Sequence, residues 1–298
     1  AASDVYKRQL VDGASTDNTR ALMCEFALDN KDEFRRVVVL DNPKKTLPSG
    51  WNVALREYKG DAIIKVDAHA VIPEDFVSKN VRVLETGEYI CGGQRPNIID
   101  KPTPFKETLL LAESSMFGSS IASYRNNPGK TYVKSLFHAA YRREVFEKVG
   151  FFNEELVRTE DNEIHYRMRK AGYKLCFDPD IISYQYTRSS LKAMLKQKYA
   201  NGYWIGKTSK VCPKCLSIYH FVPFAFVSAI IASGSVIGAT GLAECIKKRH
   251  NHTLGKGISA LRKVTVVLTT VMWVLYALMA SGCLLYTSPS PRDVEESR

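Results

Sequence analysis

The chain has 298 residues, 45% hydrophobic and 24% charged, which excludes a disordered or fibrous polymer and leaves room for one sizeable core plus an appendage. A formal charge of +11 suits nucleic acid, anionic lipid or a phosphorylated substrate. Seven cysteines, odd in number and scattered, exclude a disulfide scaffold and read as reduced thiols in a cytosolic compartment.

Residues 1–9 and 284–298 resemble translated sequencing-adapter read-through and are set aside from the fold. On that reading the native ends lie outside the chain, and the strand remnant Leu10–Asp12 is short or frayed beside an open sheet edge. Residues 10–210 then form a globular domain and 211–286 an apolar region. A helix from Asn18 to Leu28, capped by Asp17, leads to a β-branched strand at Arg36–Leu40. A helix from Trp51 to Tyr58, a strand over Asp61–Val66, a helix from Asp75 to Leu84 and a strand over Tyr89–Gly93 follow. This alternation predicts an α/β domain, a mainly parallel sheet with helices on both faces. Such sheets bind ligands outside the carboxyl ends of their strands, where Asp12, Asp41 and Asp67 fall.

The middle is less regular. Helices are expected over Phe105–Phe117, Arg142–Val149 and Asn162–Ala171, with a polar loop at Tyr124–Thr131. The third helix carries an i,i+4 pair, Glu163 and Arg167, and Gly172 follows it. Pro179-Asp180 is expected to turn the chain before a strand at Ile181–Tyr186, and Leu191–Tyr203 reads as an amphipathic basic helix. Phe221–Leu242 and Val264–Tyr286 contain no charge and are long enough to cross a bilayer. Basic residues on both sides of the first stretch, including Lys247-Lys-Arg-His-Asn-His252, give no clean orientation. Cys212-Pro-Lys-Cys215 is a lone C-x-x-C without a second pair, which argues against zinc.

Three acidic loops carry the candidate chemistry. Asp12-Gly13-Ala14-Ser15-Thr16-Asp17 follows a strand: a carboxylate there can accept from a base or ribose, and it can equally form an Asx-rich turn. Lys65-Val-Asp67-Ala-His69 places a carboxylate and an imidazole two residues apart, both able to ligate a divalent cation that holds a diphosphate. Thr159-Glu160-Asp161 opens a helix, either as a plain cap or as an acid–base pair.

Together these motifs resemble glycosyltransferase family 2, which has the GT-A fold, and within it the succinoglycan-biosynthesis subgroup. The resemblance runs from about Val11 to Thr208. It rests on Asp12-Gly13-x-Ser15-Thr16-Asp17-x-Thr19, Asn42-Pro43, Pro48-x-Gly50-x-Asn52, Asp67-Ala68-His69, Gly92-Gly93, Glu160-Asp161-x-Glu163-x-x-Tyr166-Arg167 and Gln197-x-Tyr199-x-Asn201-Gly202-x-Trp204. It implies a GT-A catalytic domain over 10–210 followed by transmembrane helices. It also implies an inverting transfer of sugar from a nucleotide-sugar, with UDP favoured, to a lipid-linked or polysaccharide acceptor. In that family the Asp67 and His69 positions bind Mg²⁺ or Mn²⁺ with the diphosphate, and Asp161 is the catalytic base beside Glu160. The donor nucleotide is expected at Asp12, Gly13, Ser15, Asp41, Asn52 and Lys65. The lid or acceptor platform is expected at Gln197, Tyr199 and Trp204. The family's first strand and its Pro-x-x-Asn-Glu loop are absent from the sequence as given. The resemblance further implies a membrane protein with its catalytic domain on the cytoplasmic side and no nucleic-acid partner. Two rival readings are a metal-dependent nucleotidyltransferase and a basic membrane-associated nucleic-acid binder. The first predicts a Gly-rich loop with a lysine near the start. The second predicts basic residues interleaved with aromatics across the folded domain, whereas the positive charge here concentrates near the apolar segments.

Overall fold

The computed structural model describes residues 6–114, 129–249 and 256–287. The expected loop at 124–131, the end of the helix at 105–117, the basic residues 250–252 and both extreme tails therefore lie wholly or mostly outside the described residues. The chain divides into two units: residues up to 110 with 120–216, and residues 111–119 with 217–298.

The first unit opens with β1 (Lys7–Asp12), α1 (Thr19–Asp29) and β2 (Arg36–Asp41), and β1 and β2 pair in parallel from Lys7↔Arg36 to Asp12↔Asp41. Residues 7–9, set aside from the sequence, thus belong to a six-residue strand, and the expected frayed remnant is not found. The Gln9 side chain donates to the Ala54 carbonyl at 3.0 Å, and the Arg8 guanidinium lies 4.3 Å from the Phe34 ring. Adjacent residues point to opposite faces of a strand, so both faces of β1 meet protein. Next come α2 (Leu47–Glu57), β3 (Ala62–Ile64), the short β4 (Ala70–Val71), α3 (Phe76–Glu85), β5 (Ile90–Gln94), β6 (Asn97–Ile98) and α4 (Pro104–Ser114). Then follow β7 (Thr131–Val133), β8 (Ala139–Arg142), α5 (Arg143–Val149), α6 (Glu160–Lys170), β9 (Leu175–Ile182), β10 (Tyr184–Tyr186) and α7 (Leu191–Val211).

The main sheet has the order β3-β8-β5-β9-β7. Its period-two alternation separates two apolar layers. Ile90, Tyr141, Leu175 and Phe177 face one core with Phe146, Ile164 and Met168 of α5 and α6. Cys91, Ala140 and Cys176 face the other, with Phe76, Val83 and Leu84 of α3. Helices therefore cover both faces, as the sequence predicts. The sheet is more mixed than its β-α-β rhythm suggests. β5–β9 is parallel, but β8 runs antiparallel to both β3 and β5, and β7 runs antiparallel to β9. A smaller sheet, β4-β10-β6, carries the His69 turn beside Gln185.

Pro179-Asp180 does not separate two strands. β9 runs through both residues in an irregularity where Phe177 pairs with Gly92 and Ile182 with Gln94. Proline is tolerated at such a bulge because the ladder there needs no N–H donor. Opposite it, a Cβ on Gly93 would sit 1.9 Å from the Ile181 carbonyl oxygen and 2.4 Å from that of Asp178, so only glycine admits the bulge.

The second unit holds α8 (Val222–Arg249) and α9 (Lys256–Thr287). The segments Ile218–Ile246 and Gly257–Leu278, which include most of these helices, are apolar and long enough to cross a membrane, and the most apolar stretch of each is not buried in the protein. Phe226 stacks on Tyr276 at 5.2 Å, and Arg262 pairs with Glu244. Lys247, Lys248 and Arg249 are the end of α8, and Arg262 and Lys263 fall within α9. Lysine and arginine are good helix formers, so charge alone does not end a helix.

Candidate active site

The first acidic loop closes on itself. Asp12, 2% exposed at the end of β1, accepts from the Ser15 hydroxyl at 2.6 Å and the Ser15 backbone N–H at 3.3 Å. The Asx-turn geometry is thus realised, with Ala14 at φ 56°. A Cβ on Gly13 would meet nothing within 4 Å, so this loop has open space beside it. Asp41, in register with Asp12, is largely exposed and pairs with Arg20 at 3.1 Å.

The Asn52 side chain is held within the protein. Its amide donates to the Phe152 carbonyl at 3.0 Å and to Glu154 at 2.9 Å, and its oxygen accepts from the Phe152 N–H at 2.9 Å. Burial without water requires that its polar atoms be paired, and they are paired to a loop a hundred residues away. Asn52 therefore clamps α2 to the 152–154 loop.

Lys65 is likewise held. It is 4% exposed, and its ammonium lies 2.6 Å from Asp161 Oδ1. The rings of Trp51, Phe152 and Phe137 lie 5.1, 5.7 and 5.9 Å from it, an arrangement in which aromatic faces support a desolvated cation. Burial works against its charge, but Asp161, Asp67 and Glu160 outweigh that and raise its pKa. Its partner within the protein is thus the Asp161 carboxylate. The contact joins the loop after β3 to the start of α6 across 96 positions.

Two carboxylates open α6. Thr159 makes no side-chain cap; its hydroxyl bonds that of Thr208 instead. Glu160 is 3% exposed and its Oε2 has no hydrogen-bond partner. Burial, then the neighbouring Asp161 charge, pushes its pKa up to about 8. Burial also raises Asp161, against the opposing pull of Lys65. A plain helix cap would leave neither carboxylate in this state. A raised folded pKa means stability that is full below the unfolded value and lost as pH rises through the folded one. Glu160→Gln is therefore expected to flatten the fall in thermal stability of the purified protein between about pH 5 and 9, by on the order of a few kcal/mol. Equal pH slopes for the two proteins would place Glu160 in solvent.

Asp67 is buried, and its Oδ1 has no partner. Burial works to raise its pKa, but His138 and Lys65 bring it down to about 2. His138 Nε2 stands 3.7 Å from Asp67 Oδ2, and its Nδ1 shares a 2.8 Å hydrogen bond with Ser183. His69 is exposed, and its Nε2 lies 2.7 Å from the Gln185 amide nitrogen. Among the described residues no group of three His, Cys, Asp or Glu side chains forms a metal cluster. An orphaned, ionised carboxylate oxygen with one imidazole nearby in sequence nevertheless suits Mg²⁺ or Mn²⁺, which take few protein ligands and complete their shell with water and phosphate.

The third group splits. Gln197 and Trp204 lie on the inner face of α7 with the buried Met194 and Thr208, and Gln197 Oε1 has no partner. Tyr199 is 78% exposed on the opposite face, so it does not join them in a platform. His138, Ser183 and Gln185 are not singled out by any sequence motif. Neither is His165, fully buried one turn beyond Asp161 and bonded to Ser135 at 3.0 Å and Tyr141 at 2.8 Å. Burial depresses that imidazole to about 3. A lone histidine or glutamine carries no spacing signal, and their partners are remote in sequence.

Residues 6–150 match the family model described as Glycosyl transferase family 2. Over those residues the chain carries a family 2 glycosyltransferase domain. The chain is 29% identical to the succinoglycan biosynthesis protein ExoA of Rhizobium meliloti (strain 1021) over 198 residues, 65% of this chain and 58% of that protein, so it spans less than two thirds of that relative. It is 25% identical, over 76% of its length and 71% of the relative, to a dolichyl N-acetyl-alpha-D-glucosaminyl phosphate 3-beta-D-2,3-diacetamido-2,3-dideoxy-beta-D-glucuronosyltransferase of Methanococcus voltae. The structure of the mannosyltransferase PcManGT from Pyrobaculum calidifontis, in complex with GDP-Man and Mn²⁺, superposes with a TM-score of 0.51. The superposition covers 94% of this chain and 74% of that one at 17% identity, a likeness of fold alone. That fold is GT-A, with two further helices apolar enough for a membrane.

Proposed function

We propose that this glycosyltransferase transfers a sugar, with inversion, from a nucleotide-sugar donor of the UDP type to a hydroxyl of a membrane-associated, lipid-linked saccharide during polysaccharide synthesis. The observation that carries the reading is the 2.6 Å contact of Lys65 with Asp161. It draws the carboxyl pair of α6 to the loop that ends in Asp67, at the carboxyl edge of the sheet where such folds take ligands.

In this reading Asp12 and the open space at Gly13 receive the nucleoside, with Asp41 at the rim. Asp161 Oδ1 is held by Lys65, which leaves Oδ2 to take the proton of the attacking hydroxyl. Glu160, protonated at neutral pH, donates to an acceptor oxygen rather than repelling it. Gln197 and Trp204 contribute from α7. A divalent cation at Asp67, with His69, would supply charge for the leaving diphosphate. The two apolar helices hold the chain in a membrane with the catalytic domain on the cytoplasmic side, where nucleotide-sugars are made. Nucleic acid has no place in it. Thermal shift of the purified protein tests the donor class. UDP with Mn²⁺ should raise the melting temperature and single-stranded DNA should not. Stabilisation by DNA, or by no nucleoside diphosphate, would overturn the reading.

A further inference from the structure

The outer face of α7 is apolar and cationic together. Leu191, Leu195, Tyr199 and Tyr203 recur every fourth residue and are 51%, 60%, 78% and 51% exposed. At 100° per residue they fall on one side of the helix, together with Lys192, Lys196, Lys207 and Lys210, while Met194, Gln197, Trp204 and Thr208 fall on the other. The 21-residue helix contains five lysines and no acidic residue. A face turned only to water would not gather four large apolar side chains, and the cations around them match an anionic surface.

We propose that α7 lies in the interface of an anionic bilayer, with Leu191, Leu195, Tyr199 and Tyr203 entering the headgroup region and Lys192, Lys196, Lys207 and Lys210 meeting lipid phosphates. Helices of this make-up bind membranes by buried apolar area plus attraction to anionic lipid. Tyrosine suits the site because its ring is apolar and its hydroxyl reaches water. The covalent chain points the same way. Only residues 212–217 join Val211 to the apolar segment that begins at Ile218, a reach of at most about 25 Å. The inference rests on the membrane reading above but extends it to the catalytic unit. The inner face of α7 holds the approach to α6 through the Thr208–Thr159 hydroxyl contact and through Arg158, which donates to Asn201 at 3.1 Å. A membrane-seated α7 therefore sets the depth at which Glu160 and Asp161 meet a lipid-borne acceptor.

The test uses the full chain in vesicles of equal phosphatidylcholine and phosphatidylglycerol, with the photoreactive benzoylphenylalanine placed singly at Tyr199, Leu28 or Val267. Leu28 is 71% exposed on α1, and Val267 lies in the second apolar segment. Lipid adducts at 267 and 199 but not at 28, with the 199 adduct lost in pure phosphatidylcholine or after Lys192→Gln, Lys196→Gln, Lys207→Gln and Lys210→Gln together, would support the proposal. Adducts at 267 but none at 199 would overturn it while leaving the spans in the membrane. Absence of adduct at 267 would overturn the membrane reading and the proposal with it. Capture of a second copy of the chain at 199, or a lipid adduct indifferent to the lysines and to lipid charge, would overturn the anionic-surface assignment.

Discussion

Asp161→Asn is expected to lower sugar transfer by about a hundredfold or more, the loss that follows removal of a general base. Affinity for UDP with Mn²⁺ should stay close to that of the parent protein. The substitution is nearly isosteric, and the carboxamide oxygen can still accept from Lys65, whose ammonium now stands 2.6 Å from Oδ1. Fold and helix start are therefore kept, with some loss of stability because the buried Lys65 loses a counter-charge, and the proton acceptor is removed. The contrast with donor binding gives the experiment its force. A residue that merely began a helix would change stability and leave turnover per folded molecule alone. A residue that held the nucleotide would weaken UDP binding in step with activity. Near-normal turnover in the Asn variant would remove Asp161 from the chemistry.

Much of the fold is legible because local signals and tertiary structure agree. The helix at 160–170 is announced by Glu163 four residues before Arg167, which pair at 2.7 Å, and by Gly172, which adopts φ +95° beyond its end. The strands at 36–41 and 90–94 read as apolar runs because both of their faces meet helices or loops. β8 bridges β3 and β5, yet Ala139-Ala-Tyr-Arg142 has no β-branched residue to signal a strand. The β-α-β rhythm without it implies a more parallel sheet than the structure has. Side-chain partnerships are less legible than elements. Asn52 shares a motif with Gly50, but Phe152 and Glu154, which use its amide, are remote in sequence. Lys65 is near Asp67 in sequence, yet its partner within the protein comes from α6. Tyr199 and Trp204 are five positions apart, and helical rotation puts them on different faces.

Asp67→Asn is expected to abolish the Mn²⁺-dependent part of UDP binding, measured by calorimetry with and without the cation, and to leave the fold intact. One oxygen of this carboxylate, Oδ1, finds no hydrogen-bond partner among the described residues. Asp67 is 8% exposed, and His138 with Lys65 keeps it ionised down to about pH 2. Its unpaired oxygen is open to a ligand. The neutral amide removes the charge but retains size and a hydrogen-bonding oxygen. A pKa lowered to about 2 means that the ionised form stabilises the apo fold at neutral pH, so the apo variant should be somewhat less stable than the parent protein. It should also lose the further gain in stability that UDP with Mn²⁺ confers on the parent. That second loss separates a binding carboxylate from a structural one. An apo loss with the response to UDP and Mn²⁺ intact would make Asp67 a partner of His138 and Lys65 alone. Unchanged Mn²⁺-dependent affinity would remove it from the diphosphate site.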